Sequence, residues 1–196
     1  MNPVPSLEDS KRGLKAERVI GYFKRRQENL GGTRPYRQTA SGAWAASRPE
    51  YLLHFFEGLD LARFRLFVDL GSGDGVACCL AGLFTRVIGI ESDYFLASQA
   101  QRAARALELR ERVSFICADF LTQTIQRADC LYIYPDKPLD AVEKVLGDWN
   151  GHLLVYGPHF PPKRLELQKK LKLGMETMSV YSYRRGGDGP TREKGK

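Results

Sequence analysis

The chain has 196 residues, 43% of them hydrophobic and 27% charged, a balance that supports one well-cored domain and excludes general disorder. Its apolar stretches, such as Val76 to Phe84, fall far short of the roughly 20 residues of a membrane-spanning helix, and the N-terminus has no apolar core after a basic start, so no secretory signal is expected and the cytoplasm is the expected compartment. The formal charge of +7 is concentrated at the ends: +4 in residues 1–34 (eight Lys/Arg, four Asp/Glu), +3 in 184–196 (five against two), and 17 of each sign in between.

In chain order, Ser6-Leu7-Glu8-Asp9 has the pattern of a capping box and opens a predicted helix over Ser6 to Asn29 that stops at Gly31-Gly32. Leu14, Val19, Ile20, Tyr22 and Phe23 give that helix an apolar side, and Lys11, Arg12, Lys15, Arg18, Lys24, Arg25 and Arg26 cover much of the rest. Thr33 to Ala46 reads as irregular, and Ser47-Arg48-Pro49-Glu50 opens a short helix to about Gly58, with proline near the start where its missing N–H costs nothing. Strands and helices then alternate. Strands are predicted at 66–70, 86–91, 113–118, 130–134 and 152–156, with helices at 75–84, 94–107 and 139–148. Pro161-Pro162 is expected to open a further helix to about Leu173, followed by a last strand over Met178 to Tyr183. This alternation predicts an α/β fold: a mostly parallel sheet of six or seven strands covered by helices on both faces. The organisation is then a basic N-terminal helix (1–34), a globular domain (35–183) and a disordered basic tail (184–196) with four Gly and one Pro.

Cys78, Cys79, Cys117 and Cys130 form no C-x-x-C pair, and His54, His152 and His159 are not spaced to complete a metal site, so neither a disulfide nor a bound metal is expected. The chemical signal is Val68-Asp69-Leu70-Gly71-Ser72-Gly73-Asp74-Gly75, where a strand ends and a helix begins. Glycines there allow a sharp turn and a close approach of backbone to a ligand. A dinucleotide loop would read G-x-G-x-x-G, but the sixth position counted from Gly71 is Val76. The pattern is D-x-G-x-G-x-G, and its leading carboxylate suits a ligand carrying an ammonium group and no phosphate. Glu91 ends the next strand, where an acid accepts ribose hydroxyls, and Asp119-Phe120 follows the third, where a carboxylate and a backbone N–H suit an adenine edge.

With these residues in place, Asp69 to Gly75, Glu91 and Asp119 resemble the first three cofactor motifs of class I, Rossmann-like S-adenosylmethionine-dependent methyltransferases. The resemblance implies a seven-stranded sheet, S-adenosylmethionine as cofactor and in-line transfer of a methyl group to an N or O nucleophile. It implies that Gly71 and Gly73 face the methionine part, that Asp69 binds or orients its amino group, that Glu91 holds the ribose and Asp119 the adenine, with the Ser92 region packing on the ring and Ser72, Gly75 and Phe120 also on the cofactor side. Such enzymes usually end in a hairpin, whereas one clear strand is read here.

The acceptor side is expected after the fourth strand, in Leu131-Tyr132-Ile133-Tyr134-Pro135-Asp136-Lys137-Pro138. It lacks the Asn/Asp-Pro-Pro-Tyr/Phe motif of many amino-methylating enzymes. It keeps only half of the Asp-x-Asp-Lys pattern of metal-dependent O-methyltransferases, so a divalent metal is not expected. Tyr132, Tyr134, Asp136, Tyr156 and His159 remain as an aromatic, polar mouth, with Tyr134, Asp136 and His159 as candidate catalytic groups and Tyr132 on the cofactor side. Pro35 to Gly42 is similar to the approach segment of small archaeal and mitochondrial-type protein-lysine methyltransferases, which makes a protein lysine the first acceptor to consider. RNA, favoured by the basic ends, a small molecule, or cofactor binding without turnover are the alternatives.

Overall fold

In the computed structural model of the protein, residues 7–29, 36–39, 42–45 and 47–183 are described. Helix α1 (Leu7–Asn29) is followed by a two-stranded hairpin, β1 (Tyr36–Thr39) and β2 (Gly42–Ala45), and by α2 (Pro49–Gly58). Then come β3 (Leu66–Leu70), α3 (Val76–Ala81), β4 (Arg86–Glu91), α4 (Tyr94–Ala106), β5 (Val113–Cys117), β6 (Cys130–Ile133), α5 (Asp140–Leu146), β7 (His152–Tyr156), β8 (Glu166–Leu173) and β9 (Glu176–Ser182). The second sheet has seven strands in the order β5-β4-β3-β6-β7-β9-β8. The first five run parallel, and β9 lies antiparallel between β7 and β8.

Each element follows from its sequence pattern. Ala16, Val19 and Phe23 recur at spacings of three and four, so one stripe of α1 is buried in the core with α2 and α3 while Leu14 stays in solvent. Pro49 stands in the first turn of α2, and Leu52, Phe55 and Phe56 form its buried side. The central strands β3, β6 and β7 are apolar on both faces because helices cover both. One core lies under α1, α2 and α3 and includes Phe67, Tyr132 and Tyr156; the other lies on the opposite face, around Leu131, Leu146, Trp149 and Leu153.

Two expectations change. The segment read as a helix to Leu173 is strand β8 from Glu166 on, hydrogen-bonded to β9, so the terminal hairpin that the resemblance implies is present and the sheet has seven strands. Lys170-Leu171-Lys172-Leu173 already alternates with a period of two; Leu171 and Leu173 pack on the core, while Lys170 and Lys172 stay exposed. The span read as irregular holds the β1–β2 hairpin. The capping serine Ser6, the Gly31-Gly32 stop and the tail 184–196 lie outside the described residues. Chain direction across the sheet reverses at β3, whose neighbours are β4 and β6. At such a switch point the strand ends diverge and leave a crevice.

Candidate active site

A cleft of about 320 Å³ opens at the carboxyl ends of β3, β4, β5 and β6. Its cofactor half is built by the turns after β3, β4 and β5. Asp69 sits on β3 with 2% of its surface exposed and accepts a hydrogen bond from the Cys78 thiol at 3.3 Å. Burial pushes its carboxyl up to about 7; the Cys78 hydrogen bond works against that shift, and the charges of Glu91 and Asp74 add to it. Asp74 is likewise buried and shifted up by desolvation, with the Arg26 guanidinium of α1 opposing. Asp69, Asp74 and Glu91 thus bring three buried carboxylates to one wall of the cleft. Such a wall favours a cation in front of it.

Glu91 also ties two loops together. One carboxylate oxygen accepts the Gly73 N–H and the other the Asp93 N–H, each at 2.8 Å. A carboxylate offers about four acceptor positions, so lone pairs remain for a ligand. In the glycine turn, Gly71 has φ +85° and no atom within 4 Å of where a Cβ would stand, which leaves bare backbone against the cleft. Gly75 has φ +87° for a different reason: a Cβ there would lie 2.8 Å from the Ala100 Cβ and 2.9 Å from the Phe115 ring. It lets α3 pack against α4 and β5. The Ser72 hydroxyl is buried at the cleft without a hydrogen-bond partner. Asp119 caps the short turn Phe120–Thr122 by accepting the Leu121 N–H at 2.9 Å, which puts Asp119, Phe120 and Leu121 on the wall beyond Glu91 and Ser92.

The other half is aromatic. Tyr132 is 2% exposed and stacks on Phe67 at 5.7 Å; burial and the nearby Asp69 push its phenol well up. Tyr134 packs edge-on against Tyr156 at 4.8 Å and shows 37% of its surface. Pro135, Asp136 and Lys137 continue this wall. Tyr156 stands behind it, its phenol shifted up by burial and by Glu176.

The structure therefore gathers Asp69, Gly71, Ser72, Glu91, Ser92, Asp119, Phe120, Tyr132, Tyr134 and Asp136 around one cleft. Gly73 and Gly75 support it from behind through the Glu91 hydrogen bond and the α4 contact. His159 is not brought to it: it lies exposed in the β7–β8 connection, with its ring 6.3 Å from Phe160. Sequence reasoning missed Ser47, Asp74 and Lys137 in the wall. Asp74 was detectable, being the one acid inside the glycine turn; Ser47 carries no local signal, because α2 places it there from 22 residues upstream of Asp69. Among the described residues no cluster of His, Cys, Asp and Glu is arranged to hold a metal ion, and Cys78, Cys79, Cys117 and Cys130 are free thiols.

No family model matches the sequence, and no curated protein matches it. Solved structures do. An RNA methyltransferase from Salinibacter ruber, in complex with S-adenosyl-L-homocysteine, aligns with a TM-score of 0.59 at 20% identity, over 71% of this chain and 92% of that one. A methyltransferase from Geobacter sulfurreducens aligns with a TM-score of 0.60 at 15% identity, over 94% of this chain and all of that one. A riboflavin-derivative dimethyltransferase (RosA) from Streptomyces davawensis gives 0.57 at 15% identity, over 69% and 54%. The chain has the Rossmann-like methyltransferase fold. The relative that spans nearly the whole chain is aligned along more than the residues from β3 onward.

Proposed function

We propose that the protein is an S-adenosylmethionine-dependent methyltransferase acting on an N or O nucleophile. The observation that carries this reading is the juxtaposition of three buried carboxylates with a glycine turn that leaves open space at Gly71. That wall fits a ligand with a cationic amino-acid end and a nucleoside: Asp69 would take the ammonium, Gly71 the backbone approach, Glu91 the ribose and Asp119 the adenine. S-adenosylmethionine, when bound, supplies an electrophilic methyl group on a sulfonium.

The chain's own residues do the rest. Asp69 and Glu91 orient the ligand along the strand ends, and the ring of Tyr134, braced by Tyr156, restricts the approach of the acceptor. Alignment and exclusion of water supply most of what such a transfer needs. The exposed carboxylate of Asp136, at the mouth, is placed to accept the proton released by the acceptor.

Among acceptors, RNA has a specific observation behind it: Lys11, Lys15, Arg18, Lys24 and Arg25 of α1 and Lys169, Lys170 and Lys172 of β8 all lie exposed. The Salinibacter ruber neighbour is itself an RNA methyltransferase. The protein-lysine reading rests on Pro35 to Gly42, of which Pro35, Ala40 and Ser41 lie outside the described residues. The test is to incubate the protein with methyl-labelled S-adenosylmethionine and total cell extract, with and without nuclease or protease. Label lost on nuclease treatment is the result expected for RNA; label lost only with protease would assign a protein acceptor. No label and no S-adenosylhomocysteine formed would overturn the enzymatic reading.

A further inference from the structure

The two edges of the seven-stranded sheet are built differently. β8 carries the devices that keep an edge from pairing: exposed Lys169, Lys170 and Lys172, and an irregular register between Leu167 and Lys169. β5, Val113-Ser114-Phe115-Ile116-Cys117, has none of them. It holds no lysine, no proline and no register shift, and it pairs with β4 alone among the described residues. Ile116 is 41% exposed, and Ser114 and Cys117 are exposed as well.

The direction of the free groups is fixed by the β4 ladder. Arg112 C=O and Ala118 N–H bond to Val87 and Glu91, so the even-numbered residues turn their backbone toward β4. By the alternation of a strand, the C=O of Val113 and both groups of Phe115 and Cys117 turn outward, and no described residue bonds them. The strand is flanked by Arg110 and Arg112 at one end and Asp119 at the other, all exposed. Two such edges brought together antiparallel about a two-fold axis at Phe115 complete one another. Phe115 faces Phe115, Val113 faces Cys117, and the arginine end of each strand lies by the Asp119 end of the other.

We infer that the β5 edge is a homodimer interface, in which β5 of two copies pair antiparallel about Phe115 and join the two sheets into one. This inference does not depend on the proposed activity. Ser114 of one copy then stands directly opposite Ile116 of the other in a non-hydrogen-bonded pair, with Cα atoms about 4.5 Å apart, within disulfide reach.

Sedimentation of the full chain at micromolar concentration should give twice the mass of one chain, and Ile116→Lys, which leaves the cleft untouched, should return it to a monomer with an unchanged circular dichroism spectrum. Oxidation of the double variant Ser114→Cys, Ile116→Cys should give a covalent dimer that dithiothreitol reverses, while Ile116→Cys alone should give far less. A monomeric full chain would overturn the inference. So would a dimer that neither responds to Ile116→Lys nor cross-links through the cysteine pair.

Discussion

The two halves of the cleft are held in place by different physics. The cofactor half is polar and over-determined: Asp69, Glu91 and Asp119 each accept a hydrogen bond from their own surroundings, and the turn between β3 and α3 admits little beyond glycine at Gly75. The acceptor half is aromatic: Tyr132 and Tyr134 line it, packed against the buried rings of Phe67 and Tyr156, and of the four only Tyr134 is open to solvent. A site of the first kind is specific for one ligand because every polar group has a set place. One of the second kind leaves the choice of acceptor to a few side chains at the mouth. The polar half should therefore be sensitive in affinity and the aromatic half in turnover.

The largest effect should come from Gly75→Val. The new side chain meets Ala100 and Phe115 and forces a β-branched residue to φ +87°, with an expected loss of about 2–5 kcal/mol from overpacking plus strain. Urea denaturation measures it, and a loss below the error of the experiment would show that the turn is not packed as described. Next, Asp136→Asn should lower turnover by about 10²–10⁴-fold, the usual worth of a positioned base, with little change in cofactor affinity. A matching loss of affinity would erase the distinction between the halves. Glu91→Ala removes the acceptor shared by Gly73 and Asp93 and should weaken S-adenosylmethionine binding by about 1–3 kcal/mol, read by calorimetry. His159→Ala, outside the cleft, should leave both constants unchanged; a clear fall in turnover would place the β7–β8 connection in the site.

Much of this division was legible in the sequence. Asp69, Glu91 and Asp119 stand at consecutive strand ends because the chain returns to the same edge after each helix, so local spacing already encodes their proximity. The ends of β6 and β7 could be read as aromatic for the same reason. What was not legible depends on long-range contact. Ser47 reaches the cleft only through the way α2 packs on the core, and Arg26 reaches Asp74 only because α1 lies across α2 and α3. The helix expected over β8 fails because Leu167 and Leu171, four residues apart, mimic helical spacing, while the strand period of Leu171 and Leu173 extends over too few residues to dominate until β9 pairs with it. His159 follows β7 in sequence, but it is exposed and does not line the cleft.

The account stands on Asp69 meeting a cation in the cleft, and its elevated carboxyl offers a direct reading. In the free protein a carboxyl raised to about 7 is neutral in mildly acid solution; its contribution to folding is fully present only below the ordinary carboxylate range and is lost as the pH rises through about 7. A bound ammonium prefers the ionised form, so affinity should move the opposite way. Calorimetric titration with S-adenosylmethionine at pH values on either side of about 7 should show binding that tightens as pH rises, with protons released to the buffer on the acid side and none on the alkaline side, and with the slope abolished in Asp69→Asn. Affinity independent of pH in the unaltered protein, or a dinucleotide bound in place of S-adenosylmethionine, would contradict the assignment of the cleft.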